Sequence, residues 1–516
     1  MFKFIRTICL PVFKREIQGV APTQLAKNDA SSNPQEKEKE PVAWEVPIQG
    51  YITRVKPRRL DRWLDAAVRW SGSEYVFFTI LAGILVWVFL SIPFHDSLTW
   101  QALISDVQAI LSYVFDSFLM RQQLNGYEDV LVVTAELRSR GASHNRMLRK
   151  LVEGMDKDEL ARLTVVNEQQ DTMVSEFDPE LPGENWFGRA VTAFSRVLGH
   201  LITVALYWAC IVIWLGFGAF CSWSDMWELY INSATSALMV FVFSFLANIR
   251  ERHSDYTKRC LDAIFRVDAA LELKLRTVTG DQQENELVII PPPKANVVQK
   301  VIFYYADVVG TLVGIVILII VIIVWLAVGP VMSFSSNWWL LIGTYAGLVG
   351  MNDGFVLRNV QNKLSDYENV EFDKVDVSDA ALFDIAGIRI PDRETVQHTS
   401  LTHRVSTAMN KVCAHELTVI AGFLVIVGLI VGSSVMQWNT TGQLISNIPP
   451  SIIESFFMII LITGHNDADA AKRVDLKHLY ERRLALLAFV NRVGAAESAN
   501  PQPVTICSEE QLADEQ

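Results

Sequence analysis

Runs of mostly apolar residues, each near the length that crosses a bilayer, punctuate this chain at 74–94, 101–120, 200–220, 229–248, 302–330, 339–357, 416–436 and 444–464. A helix spans the hydrocarbon core with about 20 such residues. Inside that core only helices and closed barrels satisfy their own backbone groups. The eight runs therefore predict an all-α membrane protein with eight transmembrane helices. The second, sixth and eighth runs hold polar residues and stand out least. Composition agrees: 51% of the 516 residues are hydrophobic and 20% are charged, less charge than a soluble chain of this size carries.

Basic residues set the orientation. Arg54, Lys56, Arg58, Arg59, Arg62 and Arg69 crowd the approach to the first run, and the long connections 121–197, 249–300 and 358–413 are rich in Lys and Arg. The short connections near 94–100, 221–228, 331–338 and 437–443 contain neither. Cytoplasmic loops carry the Lys and Arg excess, so both termini and every long connection are expected in the cytoplasm. A net charge of −12 argues against nucleic acid as a partner. The six cysteines are scattered without a CxxC, which predicts no structural disulfide. Residues 1–16 lack the pattern of a signal peptide and read as an interfacial helix or an unstructured tail. Residues 20–45 and 496–516 read as disordered. Asn439-Thr440-Thr441 forms a glycosylation sequon on the expected outer side.

One frame is written three times: WVFLSIPFHDSLTW at 87–100, WLGFGAFCSWSDMW at 214–227 and WLAVGPVMSFSSNW at 325–338. A glycine precedes each frame at the same distance (Gly72, Gly199, Gly310), and an acid follows each at the same distance (Glu128, Asp255, Asp366). A weaker fourth copy fits with Gly432 on Gly218, which puts Thr441 on the second Trp, Cys413 on the glycine and Asp469 on the acid. Each copy reads as a hairpin of two spans with its Trp pair anchored at the outer interface. Four hairpins entering in the same direction are parallel repeats, which an axis along the membrane normal can relate. The expected division is a cytoplasmic tail (1–50), repeat 1 (51–140), a cytoplasmic helical loop (141–185), repeat 2 (186–275), a linker (276–297), repeat 3 (298–375), a cytoplasmic loop (376–402), repeat 4 (403–490) and a C-terminal tail (491–516). A ring of hairpins around a central pathway and two stacked pairs are both compatible with this pattern.

The stretch WLGFGAFCSWSDMWELYINSATSALMVFVFSFLANIRERHSD, with DRWLDAAVRWSGSEYVFF and WQALISDVQAILSYVFDSFLMRQQ, resembles the hairpin of the low-affinity iron permease family. The resemblance covers the four hairpins, not the tails or the long connections. It implies low-affinity uptake of ferrous iron across a fungal plasma membrane. Other divalent or soft metals would be further substrates, and iron would be cargo, with no cofactor. A homo-oligomer is compatible with it.

The candidate cation ligands lie in the even-numbered spans. A carboxylate at mid-bilayer costs about 2.5–3.5 kcal/mol on insertion scales, and such residues mark ion pathways. Asp106, Gln108, Ser112 and Asp116 occupy the second span, Asn232, Ser233, Thr235 and Ser236 the fourth, Asn352 and Asp353 the sixth, and Glu454, Met458 and His465 the eighth. From the outer Trp, at about 1.5 Å per residue, Asp106 lies about 9 Å deep and Glu454 and Asn352 about 20 Å deep, with Asp116 and Asp353 slightly deeper. His465 falls near the inner boundary. Carboxylate, amide and imidazole ligands suit Fe²⁺, so Asp106, Asp116, Asn352, Asp353, Glu454 and His465 form the expected metal path. Plainer roles compete. Asp116 can pair with Arg121, Met458 can simply fill the core, His465 can end its helix, and the fourth-span hydroxyls can join helices. Gly343, Gly347, Gly350 and Gly354 allow close helix contact or leave space, and Pro449-Pro450 is expected to interrupt the eighth helix. No P-loop, dinucleotide turn or HExxH occurs, so an enzyme is not expected. A permease, a loosely selective cation channel and a membrane scaffold or sensor remain the functional alternatives.

Overall fold

The structure is a computed structural model, and it describes residues 15–25, 48–94, 97–155, 177–393 and 401–499. The extreme N-terminus, most of the stretch 20–45, the charged segment 156–176 and residues 500–516 lie outside the described residues, whereas 491–499, expected to begin the C-terminal tail, are helical. Twelve helices follow one succession among the described residues: a 13-residue helix, an apolar helix, then a very long one. They are α1 (Arg59–Ser71), α2 (Glu74–Phe94), α3 (Leu98–Glu153), α4 (Trp186–Leu198), α5 (Leu201–Phe217), α6 (Asp225–Thr279), α7 (Val297–Val309), α8 (Leu312–Val328), α9 (Ser336–Ala386), α10 (Leu401–Cys413), α11 (Glu416–Val435) and α12 (Thr440–Ala499). Among the described residues six helices are long and apolar enough to cross a bilayer, or eight if the bent pairs α4–α5 and α7–α8 each count as one span. The run 302–330 is thus not one straight helix. It breaks at Gly310 with a bend of 67°, which hydropathy misses because both sides of the break are apolar.

The long helices form the centre. α3 and α12 each pack along both α6 and α9, while α3 and α12 stand diagonally across, as do α6 and α9. Helices of 51–60 residues reach about 75–90 Å at 1.5 Å per residue, far beyond the hydrocarbon thickness of about 30 Å. They therefore hold two cores. The upper core includes Leu119, Phe243, Leu357 and Ile460. Around it stand the apolar helices, whose outward faces remain exposed, and no residue of α2 is buried. The lower core includes Leu137, Ile264, Phe383 and Phe489.

The lower core also contains a charged network. Arg140 binds Asp268 at 3.1 Å and Glu272 at 2.8 Å, and Arg483 binds Asp268 at 2.9 Å and Asp379 at 2.8 Å. All five side chains are buried. Burial alone would raise the Asp268 carboxyl, but the charges of Arg483 and Arg140 outweigh it and hold the group below its ordinary range. This network is about 60 Å from the outer turns, outside any bilayer.

An all-α description needs one correction. Ile17–Gly19 (β1) pairs antiparallel with Val288–Ile290 (β2), with Ile17 opposite Ile290. The beginning of the stretch read as disordered is also held. The Ala21 amide donates to Ser139 Oγ at 3.2 Å and the Gln24 amide to Glu272 Oε1 at 3.2 Å. Its polarity hid that long helices supply partners for its backbone.

Each short helix meets its apolar helix at a hinge, and a different long helix holds that hinge. Asn248 Nδ2 of α6 donates to the Gly72 carbonyl at 2.9 Å, and Arg121 Nη1 of α3 to the Gly310 carbonyl at 3.5 Å. Asn359 Nδ2 of α9 donates to the Ala414 carbonyl, and Thr463 Oγ1 of α12 to the Gly199 carbonyl, both at 2.7 Å. The glycines follow from the close approach. A Cβ on Gly72 would stand 2.9 Å from the Ala247 carbonyl oxygen.

The outer turns correct the fourth alignment. The amides of Trp223, Phe334 and Trp438 bond the carbonyls of Gly218, Gly329 and Ser433, and each closes a pair of residues with positive φ. Ser433, not Gly432, is therefore the counterpart of Gly218. The second-Trp position becomes Gly442 and the hinge residue Ala414, one place later than the sequence frame set them. The Trp pairs are also not simple interfacial anchors. Trp214 and Trp227 stack with centroids 3.9 Å apart, and Trp325 and Trp338 at 4.3 Å. Trp325 Nε1 donates to the Trp338 carbonyl at 3.0 Å and Trp338 Nε1 to the Trp325 carbonyl at 2.8 Å. In these two copies the thirteen-residue spacing clasps the two arms of a hairpin and buries the second ring, Trp227 or Trp338.

Candidate cation pathway

Inward-facing positions of the long helices carry a file of polar groups. At the outer end Asn232 Nδ2 donates to Ser105 Oγ at 3.0 Å. Asn447 of α12 lies beside them, because Gly343 and Gly347 of α9 leave it room. Gln108 Nε2 donates to Ser112 Oγ at 2.7 Å, and Ser236 Oγ to Gln108 Oε1 at 3.4 Å. Asn232 and Ser236 thus join helices, while Ser233 and Thr235 bond back to their own helix. Asp106 is buried at this level, with Oδ2 lacking a hydrogen-bond partner.

Three carboxylates follow from three helices: Asp116 of α3, Asp353 of α9 and Glu454 of α12, all 1% exposed or less. They lie within electrostatic range of one another. Neither oxygen of Asp116 or of Glu454 has a hydrogen-bond partner. Asp353 accepts from Tyr305 Oη of α7 at 2.6 Å, and Asn352 stands next to it, half-buried. The Glu454 carboxylate fills the space of a missing side chain: a Cβ on Gly350 would lie 2.4 Å from Oε1 and 2.6 Å from Oε2. The glycine face of α9 therefore does both things its spacing allowed, giving close approach and making room.

Asp116 does not pair with Arg121, whose Nε instead binds Asp65 of α1 at 2.6 Å. Met458 is fully buried in the upper core and fills space there. Pro449 and Pro450 lie inside α12 without breaking it; each removes a donor, but the helix runs on. The acids after the frames make local partners, Asp255 with Lys258 at 3.5 Å and Asp366 with the Asn362 amide at 3.0 Å, and Asp469, which the corrected register leaves one place short of that position, pairs with Arg473 at 2.6 Å.

His465 is not among the carboxylates. It lies about two to three turns further in, where its Nε2 meets His253 Nδ1 at 3.0 Å and the rings stack at 5.0 Å. His253 also contacts Thr192 Oγ1 at 3.2 Å and Asp469 Oδ1 at 3.3 Å. Sequence reasoning missed His253 and Tyr305, since their partners stand far away along the chain. Both histidines line a cavity of about 740 Å³ that extends from the inner halves of the long helices to α1 and the segment before it.

Among the described residues no three His, Cys, Asp or Glu side chains stand close enough together to enclose a metal ion. The oxygen groups are strung out instead. Such a file offers a cation successive partial ligation rather than one deep site, and conduction requires sites weak enough to leave.

An apolar shell around buried carboxylates, two of them without a hydrogen-bond partner, is the build of an integral membrane permease. The chain belongs to the low-affinity iron permease family, whose model matches residues 187–289, 298–397 and 402–515. These stretches begin close to the starts of α4, α7 and α10. The chain is 34% identical over 498 residues to the low-affinity iron/zinc ion transport protein fet4 of Schizosaccharomyces pombe, covering 94% of this chain and 84% of that protein. It is also 34% identical over 462 residues to the low-affinity Fe(2+) transport protein of Saccharomyces cerevisiae, covering 84% and 83%. No solved structure matches the chain.

Proposed function

We propose that this chain is a low-affinity transporter of ferrous iron and related divalent metals at the plasma membrane. Eight spans form four parallel hairpin repeats (within 51–140, 186–275, 298–375 and 403–490), with both termini and the lower bundle cytoplasmic. The cation descends between the long helices past Asp106, then Glu454, Asn352, Asp353 and Asp116, and leaves by His465. The observation that carries this reading is three buried carboxylates from three helices within electrostatic range of one another, two of them without any hydrogen-bond partner. Carboxylates in that condition need water, a partner or a cation. The names of the two relatives and the succession of helices support the same reading.

The test is uptake of radioactive Fe²⁺ by proteoliposomes containing the purified chain, beside Glu454→Gln and Asp353→Asn. Saturable uptake that both variants lose, at equal incorporation, is the expected result. Undiminished uptake in both would remove the residue assignment. No uptake by the folded parent chain would remove the transport reading.

A further inference from the structure

In the corrected register the nineteenth residue after the second-Trp position is leucine in all four long helices: Leu119, Leu246, Leu357 and Leu461. All four are exposed by 1% or less and belong to one core cluster. The inward layers on either side are mixed and polar. The twelfth position holds Ser112, Met239, Gly350 and Glu454, and the twenty-third holds Gln123, Arg250, Gln361 and His465. The inner cavity is lined by all four residues of that twenty-third layer and by none of the leucines. It therefore ends one helical turn below them, while Asp116 stands just under one turn above.

We propose that these four leucines are the closed barrier of the pathway, separating the carboxylate file from the cytoplasmic chamber, and that a cation crosses only when they part. Four leucine side chains around one axis offer no oxygen to a cation that must shed water. A narrow apolar constriction also empties of water, which blocks ions without a plug. Filling space alone would explain a buried leucine at any one of these positions. It does not explain why the chamber stops at this layer, or why two of the three acids beyond it, Asp116 and Glu454, lack hydrogen-bond partners. The inference rests on the transport reading, and its test separates the two.

The experiment uses the full chain in proteoliposomes. Leu357→Ser and the milder Leu357→Ala are compared with Leu444→Ser, an equally buried leucine in a separate cluster near the outer end. Fe²⁺ uptake and Na⁺ efflux are both followed. Wetting the barrier is expected to raise Fe²⁺ uptake at a fixed low concentration about tenfold, equivalent to about 1.4 kcal/mol off the barrier. A Na⁺ leak absent from the parent chain should accompany it in the Leu357 variants but not in Leu444→Ser. The same leak in Leu444→Ser, or parental fluxes in both folded Leu357 variants, would overturn the barrier. A parent chain that carries no Fe²⁺ beside a Leu357→Ser variant that leaks Na⁺ would keep the barrier and sink the transport reading.

Discussion

Gly350→Ala is the sharpest single change this structure offers. The new Cβ would stand 2.4 Å from Oε1, 2.5 Å from Cδ and 2.6 Å from Oε2 of Glu454. Non-bonded heavy atoms settle at about 3.5 Å, so the carboxylate must withdraw by about 1 Å. Backbone shift offers little relief, because the small residues of α9 already let α12 approach closely. Overfilling a core costs about 1–3 kcal/mol, and a misplacement of about 1 Å at a working group can cost about 100-fold in rate. We expect Gly350→Ala to fold, to melt somewhat lower and to lower the initial rate of Fe²⁺ uptake per molecule by about 10–100-fold. The compensating change is Glu454→Asp, which withdraws the carboxylate by one methylene. The double variant should recover part of what Gly350→Ala loses, measured as initial rates in proteoliposomes at matched protein content. Parental uptake by Gly350→Ala, or a double variant that falls by the sum of both single losses, would refute the cradle.

Three further expectations concern stability. Asp268→Asn leaves Arg140 and Arg483 short of a buried partner, and breaking such a pair costs about 3–5 kcal/mol; its melting temperature in detergent should fall by many degrees, and an unchanged melt would show that the network is not needed. Asn359→Leu removes both the bond to the Ala414 carbonyl and the acceptor for Gln299 Nε2, 2.7 Å away. Unsatisfied buried groups cost about 1–3 kcal/mol each, so the variant should melt lower, and limited proteolysis should find the α10–α11 hinge first. His144 lies about 66 Å along α3 from Trp100, well outside a bilayer, and burial pushes its imidazole down from 6.5 to about 3, with Asp268 opposing and the nearby arginines assisting. Its neutral form is the one the fold accommodates, so its share of stability is intact above 6.5 and lost as pH falls toward 3. The slope is about 1.4 kcal/mol per pH unit. Denaturant midpoints across that window should be shallower in pH for His144→Gln, and an identical slope would show that His144 already binds a proton in the folded state.

The sequence made some features plain and hid others for physical reasons. Glu74–Phe94 and Leu312–Val328 are apolar around their whole circumference and announce themselves as lipid-facing. Asp353 and Glu454 stand out because charge is expensive where they sit. The Trp frame revealed a recurring hairpin, but not that its rings would stack. The hinge glycines were visible as a spacing without a purpose, since their purpose is a neighbour on another long helix. The fourth frame slipped by one place because it has lost both tryptophans and Gly432 offered a false anchor. That slip concealed the leucine layer, which lines up only when Gly442 is matched to Trp227. His253 and Tyr305 were illegible because their partners, His465 and Asp353, are 212 and 48 residues away.

The four hinge bonds run one way round. α3 holds the hinge before α8, α9 the hinge before α11, α12 the hinge before α5, and α6 the hinge before α2. Every hinge is gripped once and every gripping helix is used once, so the series has no first or last member. Separate subunits build a closed ring from the same head-to-tail contact. Here one polypeptide makes it, and a three-hairpin fragment would not keep three quarters of the grip, since it would leave one carbonyl bare and one donor idle. Fusion also lets each grip differ. Identical subunits would have to share one side chain at all four places, whereas this chain uses an arginine, two asparagines and a threonine. Each joint can therefore be loosened or tightened without touching the other three.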